Sequence, residues 1–152
     1  MQKQKILDEF NQTSLVFNQA ALEKYVDFCL EKDKGMCIKG ETSAHHILPA
    51  GKTLPFAKFS NLANAPWNKA DLTYYDHYLA HYLLAIAINH ISTYSAFCAM
   101  HNKDVTLGRL DQLHLIDANE YTEIYLKRNK LISQYQQELV EVDGKFISRA
   151  KA

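Results

Sequence analysis

Little in this chain is in excess. Its 17 basic and 17 acidic side chains cancel. No whole-molecule field therefore draws it to nucleic acid, and any anion-binding function must rest on local charge. Three cysteines, at 29, 37 and 98, are an odd count without a CxxC pair, which speaks against a disulfide scaffold and a cysteine zinc knuckle. Free thiols in a reducing compartment are the simplest reading. Long apolar runs are missing too. The stretch from Tyr78 to Ile91 is broken by Asn89 and His90 and is too short to cross a bilayer. The N-terminal residues are rich in lysine and glutamine and lack the apolar core of a signal peptide. The expectation is a cytoplasmic protein without a membrane partner. Repeats and low-complexity segments are absent as well.

What remains is a hydrophobic fraction of 47% in 152 residues, enough for one domain with a real core. The three prolines all fall between 49 and 66, so the segment 36–68 reads as ordered loop with short strands around Cys37–Lys39 and Ala44–Leu48. Helices flank it. One is expected from about Gln19 to Asp33, capped by Asn18, with Leu22, Tyr25, Val26, Cys29 and Leu30 as its apolar stripe and Gly35 as its stop. A second starts at Thr73, where Asp76 completes a capping-box pattern, and runs to about Met100. A third follows Asp117, with Glu120 as its reciprocal cap. It carries Tyr121, Ile124, Tyr125, Leu131, Ile132, Tyr135 and Leu139 at apolar positions, and Gly144 ends it before a frayed tail. The expected class is mainly α with a small α+β insertion: an N-terminal helical segment over 1–35, a ββα finger over 36–90 and a C-terminal helical segment over 91–152.

Histidine is the residue with a pattern. Four of the seven form two tight sets, His45–His46 and His77–His81. Imidazoles at i and i+4 of a helix point the same way. A third from a loop would complete a divalent-metal site and leave the other member of the adjacent pair as a general base. The surrounding charge is locally positive, because Ile38–Ala70 holds four lysines (Lys39, Lys52, Lys58, Lys69) and one acid, Glu41.

The text HHILP at 45–49, PWN at 66–68 and LTYYDHYLAH at 72–81 resembles the HNH family of endonucleases, also called ββα-metal or His-Me finger nucleases, in the branch common among bacteriophages. The intervals of nine residues from Asn68 to His77 and four from His77 to His81 agree with that family. The strong part of the likeness covers 41–81, and a weaker part reaches back over 25–37. The resemblance implies a DNA endonuclease with one divalent cation (magnesium, manganese, zinc or nickel) held by His45, His77 and His81. It implies that His46 takes a proton from the attacking water and that Asn68 holds the loop bearing His46 or orients its ring by side-chain hydrogen bonds. Asn61 and Asn64 are alternatives to Asn68. Relatives carry an acid two residues before the histidine pair, where this chain has Ser43.

DNA contact is expected from Lys52, Lys58 and Lys69, with Lys127, Arg128 and Lys130 as a second cationic set. A homodimer or a protein partner would be needed for double-strand cleavage by a single finger. The bland readings are a surface histidine pair, a polar helix edge, a solvated basic face and core tyrosines. Trp67 reads as a plug pinning its loop onto the following helix. The competing function is a non-catalytic zinc-stabilised module that binds DNA or protein.

Overall fold

The computed structural model describes residues 2–143, with side chains through residue 138. Among the described residues the fold has five α-helices and one two-stranded antiparallel sheet. The order is α1 (Gln2–Asn11), α2 (Gln19–Lys32), β1 (Thr42–His46), β2 (Lys69–Thr73), α3 (Tyr74–Ala87), α4 (Ile91–Thr106) and α5 (Ala118–Asp143). The expected mainly helical class with a small sheet is what the chain adopts.

α3 is the central element. Its sequence is apolar on most sides, which suits a helix with a core on each of two faces. One side, through Ala80, Leu84 and Ala87, packs into a core with Ile6 and Phe10 of α1, Leu22, Tyr25, Val26 and Cys29 of α2, and Ile47, Leu48 and Phe56 of the loop after β1. The other side, through Tyr78 and Ala85, packs with Tyr94, Phe97 and Cys98 of α4 and Ile124 of α5.

Local signals explain the starts of these helices. The Asn18 side chain accepts from the Ala21 amide at 3.0 Å and opens α2. The Thr73 hydroxyl accepts from the Asp76 amide at 3.1 Å and opens α3 directly out of β2. His90 caps α4 through its Nδ1, which accepts from Ser92 N–H at 2.9 Å.

Two expectations need correction. No strand forms at Cys37–Lys39. β1 starts at Thr42 and pairs with β2, at the far end of the proline-bearing segment, with His45 opposite Ala70 and His46 opposite Lys69. The second helix does not run through to Met100. It breaks at Ile88–His90, where the chain is gripped by residues 15–17: Phe17 N–H donates to Ala87 C=O at 2.8 Å, and Asn89 N–H to Leu15 C=O at 3.1 Å. α1 precedes the first expected helix and buries Ile6, Leu7 and Phe10. The expected stop at Gly144, the tail and the Leu139 side chain lie outside what is described.

Candidate metal centre

Two strands and a helix converge at the site. His45 is the penultimate residue of β1 and is 2% exposed, and His77 and His81 sit one turn apart at the start of α3. Because α3 leaves β2 without a connecting loop, register fixes its first turns against β1. The ring centroids of His45 and His77 lie 5.0 Å apart, those of His45 and His81 5.0 Å, and those of His77 and His81 4.9 Å. One ligand nitrogen from each ring falls within 4.8 Å of the others.

The donor set suits a divalent ion. His77 Nε2 and His81 Nε2 are 3.2 Å apart. Two nitrogens bound tetrahedrally to one zinc-sized ion at about 2.0–2.1 Å stand about 3.3 Å apart. All three rings are held neutral. Burial, helped by His81, His77 and His46, pushes His45 well below the usual histidine range. Burial, then Arg109 and His46, brings His77 to about 4. Burial, with His77, brings His81 to about 3. A neutral imidazole offers the lone pair a metal requires. The buried Nδ1 of His81 has no hydrogen-bond partner among the described residues.

Neighbours orient these rings. Ser43 Oγ lies 2.7 Å from His77 Nδ1, so the residue two positions before the histidine pair touches a ring of the cluster. Glu41 is exposed and makes no such contact. On the far side, the Tyr25 hydroxyl lies 2.7 Å from His45 Nε2.

His46 follows His45 on β1 but turns the other way. Its Nε2 donates to the Ser60 carbonyl at 2.8 Å, so Nδ1 keeps its lone pair. His46 and the three clustered histidines line one cavity of about 330 Å³, with Pro49, Ala50, Gly51, Leu84 and Ala96 along its other walls. The loop that supplies Ser60 is fastened by Asn68, which is fully buried. Asn68 Oδ1 accepts from Leu48 N–H at 2.6 Å, and its Nδ2 donates to the carbonyls of Leu48 at 3.2 Å and Phe59 at 3.3 Å. Phe59 adjoins Ser60, so one amide clamps both Leu48, two residues after His46, and the residue next to the one whose carbonyl holds the His46 ring. Asn61 instead closes a turn, accepting from Ala63 N–H at 3.0 Å. Asn64 is exposed.

No family model, curated protein or solved structure matches this chain. Its chemistry must therefore be argued from the residues themselves.

The cations divide. Lys52 is exposed next to the cavity-lining Gly51, and Lys58 is exposed with its ammonium 5.1 Å from the Phe59 ring centroid. Lys69 pairs at 3.3 Å with Asp71, whose side chain is buried. On α5, Arg128 donates from Nε to Ser95 Oγ of α4 at 2.8 Å, Lys127 pairs with Glu123 at 3.7 Å, and Lys130 is exposed. Trp67 packs edge-on to Phe59 at 4.9 Å, under Lys5 of α1. Its backbone carbonyl accepts from Gln2, so it pins the loop toward α1 rather than α3.

Sequence reasoning missed Arg109. Its guanidinium lies over the ring of Tyr74, three residues before His77 on α3, and its charge is felt at His77. Only the folding of the turn after α4 brings it there.

Proposed function

We propose that this chain is a metal-dependent DNA endonuclease of the ββα-metal type, with His45, His77 and His81 holding one divalent cation and His46 acting as general base. The observation that supports this reading best is the placing of His46. A structural zinc site has no use for a fourth imidazole that opens on the same cavity, is tethered through one nitrogen and is bare at the other.

When bound, the cation supplies Lewis-acid polarisation of a phosphate oxygen and stabilisation of the departing alkoxide. The rest belongs to the chain. His46 Nδ1 accepts a proton from the attacking water, while the Ser60 carbonyl keeps the ring from rotating and stabilises the imidazolium that forms. Asn68 maintains that carbonyl's position through Phe59 and Leu48. Lys52, Lys58 and Arg109 attract the phosphodiester backbone without reading bases. Three imidazoles favour zinc or nickel in affinity, and magnesium or manganese remain candidates for turnover.

Plasmid nicking with magnesium, manganese, nickel and zinc tests the reading. The wild type should nick with at least one of these ions, and His46→Ala should not. A wild type inert with all four ions would sink it, as would a His46→Ala variant that cuts as fast as wild type.

A further inference from the structure

Tyr25 lies twenty residues before His45 and outside the finger, yet its hydroxyl is completely buried against it. Two contacts of equal length meet there: His45 Nε2 at 2.7 Å and the Ile47 carbonyl oxygen at 2.7 Å. A phenol has one proton. The Ile47 carbonyl has none, and two bare oxygens 2.7 Å apart would repel. The Tyr25 proton must therefore point at Ile47. The phenol oxygen is then an acceptor toward His45, and the proton in that contact belongs to His45 Nε2. A neutral imidazole carries a single N–H, so His45 Nδ1 is left bare.

We infer that Tyr25 is a positioning residue: it fixes His45 in the Nε2–H tautomer and so makes Nδ1 the atom that His45 presents to a metal. This rests on the metal-site reading above and deepens it. The neighbourhood agrees. The Tyr25 ring is wholly buried and packs edge-on to His45 at 5.9 Å and to Phe10 at 6.2 Å. The mirror arrangement serves His77. Ser43 stands at its Nδ1, which directs Nε2 toward His81. β1 and α2 thus set the ligating atoms from behind, before any ion arrives.

Nitrogen-15 NMR of the metal-free wild type, labelled at histidine, reads the tautomer directly. His45 should show a protonated Nε2 and a bare Nδ1, and zinc should shift the Nδ1 resonance. In Tyr25→Phe the two tautomers should mix, and zinc affinity should fall by roughly 10- to 100-fold, the usual cost of losing an outer partner of a ligating histidine. Tyr94→Phe, which removes a hydroxyl bonded to Asn89 instead, should leave zinc affinity unchanged. A wild-type His45 protonated at Nδ1 would overturn the inference, and so would a folded Tyr25→Phe that binds zinc as tightly as wild type. If Tyr25→Phe does not fold, the wild-type tautomer still decides. Plasmid nicking separates the two readings, because a chain that binds zinc with this tautomer and never cuts DNA fails as a nuclease while keeping the assignment.

Discussion

At the scale of single residues, the site separates groups that would hold an ion from one that would move a proton, and substitutions should separate them too. His77→Ala removes one of three clustered nitrogens. It should weaken metal binding, measured by zinc or cobalt titration, and lower cleavage in step. His46→Ala touches none of the three and should abolish cleavage with metal affinity nearly intact. Equal loss of affinity in both would mean the roles of His45 and His46 are exchanged. Asn68 presents a different case. Truncating it strands the Leu48 amide and two carbonyls, so Asn68→Ala should cost about 3 kcal/mol in denaturant unfolding as well as activity. The depressed histidines also give a pH signature to the metal-free chain. Folded His77 and His81 stay neutral down to about 4 and about 3, whereas the unfolded chain protonates them below about 6.5. The unfolded state binds more protons in that window, so their contribution is whole above 6.5 and is lost as pH falls toward 4. Chelator-treated protein should show a denaturation midpoint that drops across this range, and a His77→Gln/His81→Gln variant should show a flatter profile.

Among the secondary-structure elements, the junction of β2 and α3 matters most, because it sets the histidine pair against β1. Thr73→Ala removes the hydroxyl cap on the first turn of α3 and should cost about 1 kcal/mol in unfolding. It should also weaken metal binding, since His77 sits in the turn that frays. Unchanged zinc affinity would show that packing alone holds that turn. The start of α3 was legible from Thr73 and Asp76, and α2 from Asn18 and its stripe, because caps and periodicity are local. β2 was not legible. Its sequence KADLT is short and carries an aspartate, and what makes it a strand is β1 beside it and Asp33, which accepts from Asp71 N–H at 2.8 Å. The break at Ile88–His90 has no proline or glycine to announce it; residues 15–17 impose it from seventy positions away. The histidines and Asn68 could be read from spacing. Tyr25, Ser43, Ser60 and Arg109 could not, because their roles exist only in the folded neighbourhood.

Considered as a whole molecule, the chain is electrically balanced, so the proposed attraction to DNA would depend on where exposed cations stand. Lys52, next to the cavity-lining Gly51, and Lys58 are exposed, while Lys69 is paired with Asp71. Replacing Lys52 and Lys58 with glutamine should lower affinity for all sequences alike and reduce the salt slope by roughly 2, about one per lost phosphate contact. A slope that does not move would shift the DNA surface to α5, where Lys127 and Lys130 are exposed. No described helix is long and apolar enough to cross a membrane.

The back wall of the histidine cluster carries a consequence for transplantation. The strand-loop-strand-helix unit that holds all four histidines does not close on itself. Ile47, Leu48 and Phe56 share one apolar cluster with Phe10 and Tyr25, which belong to the two helices before it. Cut free at residue 36, the unit would lose both the surface that keeps it dry and the hydroxyl behind His45. This unit is therefore not a cassette that can be moved into another scaffold. A chimera intended to carry its chemistry would have to take the first two helices with it.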